Sequence, residues 1–114
     1  MAAPLRLLFL CNFYPPQHLG GYEELCQEVA AGLRARGHQV TVLTSRPLAG
    51  RSASAPDEAS VIRALEPEVA IGERLASLRL LLGRGHRAAR NHAIVAAALS
   101  RHQPDAVVIW GMWN

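Results

Sequence analysis

The apolar positions of this chain follow two kinds of pattern, unbroken runs and runs with a helical spacing. Residues 5–11 are almost continuously apolar, which is typical of a strand buried on both faces of a parallel sheet. Over residues 22–36 the apolar side chains recur every four positions: Leu25, Val29, Leu33. That spacing predicts a helix with one apolar face. Residues 39–44 are rich in β-branched side chains and predict a second strand. This order of elements predicts a βαβ unit with a right-handed crossover.

The second half of the chain repeats the alternation of strand and helix. Short apolar runs over residues 61–65 and 106–110 predict a third and a fourth strand. Helical spacing predicts helices over residues 68–82 and 86–102, which a Gly-Arg-Gly sequence separates. Residues 45–60 combine Pro and Gly with Ser and Ala and predict a flexible connection. Together these elements predict an α/β fold, a Rossmann-like parallel sheet of order 3-2-1-4 with helices on both faces.

Composition and charge narrow the class of protein. A chain of 114 residues is long enough for one core and too short for two ordinary domains. The formal net charge is +3, and the 12 basic residues are all Arg without a dense cluster, so we expect no nucleic-acid partner. No apolar stretch approaches the roughly 20 residues that a membrane span needs. Cys11 and Cys26 fall in a predicted strand and a predicted helix, so we expect reduced thiols and a cytoplasmic setting.

The loop after the first strand carries the most specific signal. It contains Pro15-Pro16 and ends in Gly20-Gly21, directly before the first helix. Backbone N–H groups at the start of a helix are unpaired and lie at its positive end, and glycine leaves room for a ligand to approach them. We therefore predict a site for a phosphate or another anion at this loop. The loop lies at the carboxyl edge of the predicted sheet, where open α/β proteins bind ligands.

Two well-known nucleotide-binding motifs are absent from the sequence. The dinucleotide motif G-x-G-x-x-G does not occur, and Thr-Ser-Arg stands at residues 44–46, where an acidic residue would end the second strand. A Walker A loop is excluded because the chain contains no Lys. NAD is therefore disfavoured as a ligand.

Several segments, in order, resemble the opening of the family-4 glycosyltransferases. The first three are Phe13-Tyr14-Pro15-Pro16, Gly20-Gly21-Tyr22-Glu23 and Gly37-His38-Gln39-Val40-Thr41-Val42-Leu43-Thr44. In that family a Tyr-Pro-Pro loop, a Gly-Gly-x-Glu turn and a Gly-His-x-Val-x-Val-x-Thr strand occur in this order. Pro104-Asp105 and the apolar run that follows resemble the family's fourth strand. The likeness covers both ends of the chain, with a poorly matched middle.

The resemblance implies a GT-B architecture, in which two Rossmann-like domains face each other across a cleft. Residues 1–114 would form an incomplete N-terminal, acceptor-side domain, and the C-terminal, donor-binding domain would be absent. Gly20 and Gly21 would present backbone N–H groups to the donor diphosphate, while Tyr14, Trp113 and Asn114 would shape the acceptor side. Catalytic residues are expected beyond residue 114, so the resemblance predicts that this chain alone is inactive.

The same resemblance implies the partners and the chemistry. The partners would be a nucleotide-sugar donor, a sugar, lipid-linked or small-molecule acceptor, and the missing C-terminal domain. Transfer would retain the anomeric configuration and would need no metal ion and no cofactor, since the nucleotide-sugar is a co-substrate. The histidines at positions 86, 92 and 102 lack carboxylate or Cys partners at ligand spacing, so no zinc site is expected. Peripheral membrane contact is not favoured, because a solvated face better explains the arginines with a spacing of three: Arg84, Arg87, Arg90.

Two other interpretations stay open. One is a complete, non-catalytic Rossmann-like module for binding or interaction, and the other is a partial product without an independent function. Against the module, the strand at residues 106–110 would leave an apolar sheet edge unpaired, which favours aggregation. The partial product explains the same edge equally well.

Overall fold

A computed structural model describes residues 3–17, 21–47, 54–67 and 82–110. Within these residues strands and helices alternate in the following order: β1 (Arg6–Cys11), α1 (Tyr22–Ala35), β2 (Gln39–Ser45), β3 (Val61–Leu65), α2 (Arg84–His102) and β4 (Ala106–Trp110). One turn of 3-10 helix over Glu58–Ser60 leads directly into β3. This alternation is the α/β pattern that the hydrophobic spacing predicts.

The four strands form one parallel sheet of order β3-β2-β1-β4. Leu7 of β1 pairs with Val40 of β2 on one side and with Ala106 of β4 on the other. β2 pairs with β3 through a register shift between Thr44 and Ser45. The predicted strand order 3-2-1-4 is confirmed.

The central strand β1 is buried on both faces. Leu7 and Phe9 pack with side chains of α1, whereas Leu8 and Leu10 pack with side chains of α2. Successive side chains of a strand point to opposite faces of the sheet. The two helices therefore cover opposite faces, and the prediction of helices on both faces is confirmed.

Both ends of α1 follow from the sequence. Gly21 is the residue before its first turn, Glu23 lies in that turn, and Arg34 lies in the last turn. These charges complement the positive amino end and the negative carboxyl end of the helix. Gly37 follows the helix with φ +92°, the left-handed backbone that glycine adopts readily at a helix end.

α2 begins earlier than the spacing of its apolar residues predicts. Arg84 rather than His86 is its first residue, and Gly85 lies within its first turn. A first turn tolerates glycine because its N–H groups have no partner within the helix. The helix predicted over residues 68–82 falls outside the described residues, apart from Leu82.

The connection predicted to be flexible over residues 45–60 is ordered at both of its ends. Ser45 extends β2 and pairs with Leu65, and Glu58–Ser60 forms the 3-10 turn. The prediction was wrong for these ends because it used composition alone. The polar side chains before β3 make specific contacts, since Asp57 accepts a hydrogen bond from Tyr14 and Glu58 accepts one from Arg63.

β4 is an edge strand of the described sheet, and one of its faces is exposed. Val107 pairs with Leu8 and Ile109 pairs with Leu10, so both side chains lie on the face that α2 partly covers. Val107 is 42% exposed and Ile109 is 66% exposed. The described residues therefore place an apolar edge where the sequence predicts one.

Candidate functional site

The candidate site is the carboxyl edge of the sheet, where the loop after β1 leads into α1. β1 is parallel to both of its neighbours, so all three of these strands end at this edge. The structure describes the first half of the loop, residues 12–17, and its last residue, Gly21. Ligand sites of open parallel sheets lie in this position.

The first half of the loop is folded back on the core. Tyr14 is fully buried, and the Pro15–Pro16 peptide bond is cis. The Gln17 N–H donates a hydrogen bond of 3.0 Å to the Tyr14 carbonyl and closes a turn. Residues 12–17 are thus part of the packed structure, whereas Gly21 is exposed.

Gly21 lies at the start of α1, as predicted. Its φ of −92° is open to any residue type, and a Cβ added there would have no heavy atom within 4 Å. Neither backbone strain nor packing in the described structure therefore requires glycine. Gly21 also brings no side-chain oxygen to the N–H groups of the first turn. Gly21 is therefore exposed at the start of α1, with no described atom within 4 Å of its Cβ position.

A polar cluster around Asp57 lies beneath the loop. The Tyr14 hydroxyl donates to Asp57 Oδ2 at 2.5 Å, and Arg34 Nη1 donates to the same oxygen at 2.5 Å. Gln27 Nε2 donates to Asp57 Oδ1 at 3.4 Å. Arg34 also donates from Nη2 to the Val40 carbonyl at 2.8 Å. The cluster ties the loop to α1, β2 and the segment before β3.

The cluster shifts the acidities of its members. Burial alone would raise the pKa of Asp57, but hydrogen bonds from Tyr14 and Arg34 outweigh burial and lower it. Burial and the bond to Asp57 raise the pKa of Tyr14 above its usual value. The carboxylate is therefore the acceptor, and the phenol keeps its proton.

A second ion pair lies next to this cluster. Arg63 Nε donates to Glu58 Oε1 at 2.8 Å, and Arg63 Nη2 donates to Glu58 Oε2 at 3.0 Å. The Arg63 side chain is only 7% exposed. Hydrogen bonding to Arg63 lowers the pKa of Glu58. This two-point geometry is the strong form of an arginine–carboxylate pair.

Two of the five predicted site residues are described, Tyr14 and Gly21. The Tyr14 side chain is fully buried and bonded to Asp57, so any influence on an acceptor would pass through the loop that it anchors. Gly20, Trp113 and Asn114 lie outside the described residues. Their roles stay predictions, as does the contact of Gly21 with a diphosphate.

Sequence reasoning missed the residues that support the loop. Asp57 and Glu58 stand in a stretch that its composition marks as a connection, and Arg63 interrupts the apolar run of β3. The signal was available, because a charged residue inside a short apolar strand needs a partner when its side chain is buried. From the sequence, no role is predicted for Asp57 or Arg63.

Gln17 has an unusual environment at the same edge. Its side chain is buried, and neither Nε2 nor Oε1 has a hydrogen-bond partner in the described structure. Buried carboxamides normally find partners. The loop therefore holds one polar group whose bonding capacity is unused.

Cys11 is the last residue of β1, and Cys26 lies in the second turn of α1. Both thiols are free and buried. The interaction between the two thiols lowers the pKa of Cys11 and raises that of Cys26. Both are packed in the core cluster on the α1 face of the sheet.

Trp110 and His38 have structural roles. The rings of Trp110 and Phe9 pack with their centroids 5.7 Å apart. His38 Nδ1 accepts a hydrogen bond of 3.0 Å from the Leu5 N–H at the opposite edge of the sheet. Neither side chain is needed to explain a ligand site.

The described residues contain neither a metal cluster nor a membrane-spanning helix. No three His, Cys, Asp or Glu side chains in the described ranges come together as a metal site would require. No helix in the same ranges has both the length and the apolar character for crossing a bilayer. Metal-independent transfer is untested by this and stays a prediction.

Comparison with known proteins gave one family. Searches of curated proteins and of solved structures returned no match. The model of the glycosyl transferase 4-like domain matches residues 20–114, from the Gly pair to the last residue of the chain. This match covers most of the sequence and agrees with the fold and with the motifs around the loop. The chain therefore belongs to the glycosyl transferase 4-like domain family.

Proposed function

We propose that this chain is the acceptor-side domain of an enzyme that transfers a sugar from a nucleotide-sugar to an acceptor. Family membership supports transferase chemistry. The observation that carries the proposal is Gly21, which is exposed, unstrained and surrounded by open space at the start of α1. Its glycine is best explained by close approach of a ligand to the backbone. The ligand we propose is the diphosphate of the donor, held by the N–H groups of Gly20 and Gly21.

The leaving diphosphate needs more positive charge than this edge supplies. Glu23 and Glu24 lie in the first turn of α1, so the net charge close to the loop is not basic. We propose that a second, donor-binding domain of a GT-B enzyme supplies the cationic groups that stabilise the leaving group. Retention of anomeric configuration, independence of metal and cofactor, and a cytoplasmic setting belong to the same proposal. The two free, buried thiols support the last of these.

The loop contact is tested by titrating the ¹⁵N-labelled chain with uridine diphosphate and with pyrophosphate. We expect the amide resonances of Gly20 and Gly21 to move with either ligand. In a Gly21→Val variant these shifts should disappear while the rest of the spectrum is retained, because a side chain there meets no protein atom.

Gly85→Val is the matched control. Gly85 lies within the first turn of α2, close to a helix start as Gly21 is, and likewise has no heavy atom within 4 Å of its Cβ position. It should leave the loop shifts unchanged. Equal shifts in the Gly21→Val variant would show that the Gly pair is a structural turn only.

The need for a second, donor-binding domain is tested by measuring turnover. The purified chain, incubated with a panel of uridine and guanosine nucleotide-sugars, should release no nucleotide above the background. Steady turnover by the 114-residue chain would contradict the need for a second domain. Binding of a protein partner without any nucleotide response would favour the non-catalytic module.

A further inference from the structure

We propose that Arg63 is a positioning residue that holds the loop between β1 and α1 in its binding geometry. This inference rests on the proposed function, since the loop is where we place the donor diphosphate. Arg63 lies on β3, an edge strand of the described sheet, and is separated from β1 by β2. Its side chain nevertheless reaches the loop that follows β1.

Arg63 binds the loop through backbone carbonyls. Its Nη2 donates to the Pro15 carbonyl at 2.6 Å, and its Nη1 donates to the Tyr14 carbonyl at 3.3 Å. The guanidinium carbon also lies 5.9 Å from the centre of the Tyr14 ring, which is within the range of a cation–π contact. The Tyr14 carbonyl in turn accepts the Gln17 N–H. One side chain thus fixes the turn that leads towards the Gly pair.

The geometry requires an arginine at this position. A guanidinium carries five N–H donors in a planar fork, and four hydrogen bonds of Arg63 use that fork: two to Glu58 and two to loop carbonyls. Lysine carries three donors at one point and cannot span a carboxylate and two carbonyls together. Glu58 neutralises the charge of Arg63, so this arginine acts as a clamp rather than as a phosphate ligand.

The segment before β3 anchors the same loop a second time. Asp57 accepts the Tyr14 hydroxyl, and Glu58 holds the arginine that holds the Tyr14 carbonyl. Two adjacent carboxylates therefore fix one loop residue by its side chain and by its backbone. This arrangement explains why a chain segment with a connection-like composition is ordered here.

The test compares Arg63→Gln and Arg63→Lys with two controls by hydrogen exchange and by affinity for uridine diphosphate. In both variants we expect amide exchange at residues 12–17 to rise about tenfold or more, while exchange in α2 on the opposite face stays unchanged. Affinity for uridine diphosphate should fall about fivefold or more in both variants. In a third variant, Arg63→Ala, millimolar methylguanidinium should restore part of the lost affinity. The lysine variant keeps the positive charge, so it tests the role of the guanidinium even if the glutamine variant fails to fold.

The controls separate positioning from general stability. Arg46→Gln removes an exposed ion pair of the same length, 2.8 Å to Glu66, that involves none of the loop residues 12–17. Ala98→Gly weakens packing on the α2 face and lowers stability without touching the loop. In both controls the ratio of amide exchange in residues 12–17 to exchange in the rest of the chain should stay within about twofold of wild type. The affinity for uridine diphosphate should stay within the same range.

Two outcomes would overturn the inference. One is unchanged exchange at residues 12–17 after replacement of Arg63, and the other is a uniform rise over the whole chain, which would show a purely global role. Failure of the wild-type chain to bind uridine diphosphate would count against the proposed function instead. The exchange measurement would still decide whether Arg63 positions the loop.

Discussion

The two edge strands of the described sheet, β3 and β4, are equal in length and opposite in character. β3 spans Val61–Leu65 and carries Arg63, which is paired with Glu58 and with the loop after β1. Asn91 of α2 further holds the end of β3, since its side chain exchanges hydrogen bonds of 2.7 and 3.0 Å with the Glu66 backbone. β4 is apolar throughout, and two of its large side chains, Val107 and Ile109, are exposed.

The difference shows that the two edges of one sheet can have different roles, loop positioning at β3 and exposure of apolar surface at β4. The β3 edge has ion pairs and side chain–backbone bonds that are specific in geometry, and these bonds position a loop at the candidate site. The β4 edge has apolar area and unpaired backbone groups, which are not specific for a partner. We therefore expect polar substitutions to act on the β3 side through stability and on the β4 side through association.

The largest effect is expected from Asp57→Ala on the β3 side. This change removes the shared acceptor of Tyr14 and Arg34, whose side chain is 22% exposed, and should lower the free energy of unfolding by about 2–3 kcal/mol. Urea unfolding followed by circular dichroism measures it. Asp105→Ala is the control on the β4 side, because Asp105 accepts an exposed Arg6 N–H. This change should cost about 1 kcal/mol or less. Equal losses would remove the contrast between the edges.

Acid should weaken the β3 side selectively. The pKa values of Asp57 and Glu58 are lowered in the folded chain, so their stabilising contribution is complete above the unfolded value of about 4. It is lost as the pH falls below about 4 and through the lower folded values. Unfolding measured between pH 7 and pH 3 should show this loss in the wild type and a smaller one in an Asp57→Asn variant. A variant with the same pH dependence as wild type would contradict the assignment to Asp57.

The sequence predicts the strand order because nearly continuous apolar runs at residues 5–11 and 106–110 alternate with helical spacings, which is the pattern of a Rossmann-like parallel sheet with right-handed crossovers. It predicts Gly21 at the start of α1 because a Gly pair next to a helical spacing is a local signal. It does not predict the cluster around Asp57, because that cluster joins residues 14, 34 and 57, which are far apart in the chain. Contacts of this kind depend on the tertiary structure, and no periodicity records them.

A moderate effect on association is expected at the β4 edge. Val107→Thr with Ile109→Thr should keep β-propensity while reducing exposed apolar area. The double variant should be more nearly monomeric in light scattering over a concentration series, with stability within about 1 kcal/mol of wild type. Leu25→Gln, which removes an equally exposed apolar side chain from α1, should leave association unchanged. A wild-type chain that stays monomeric and melts cooperatively would refute the prediction.

The smallest effect is expected at Gln17 in the loop that β3 supports. Gln17→Met replaces a buried carboxamide without partners in the described structure by an apolar side chain of similar length. Stability should rise by up to about 1 kcal/mol, because the cost of an unsatisfied amide is removed. Thermal unfolding measures the change. A clear loss of stability would show that the amide has a partner, such as an ordered water molecule.

The open space at Gly21 makes this position suitable for a spectroscopic reporter. A Gly21→Cys thiol would be exposed, would fit the existing backbone and would meet no neighbouring atom. The native thiols of Cys11 and Cys26 are buried, so a maleimide dye or a spin label should react selectively with the new one. The label would lie beside the candidate site. A change in dye emission or in spin-label mobility would then report ligand binding without any need for turnover.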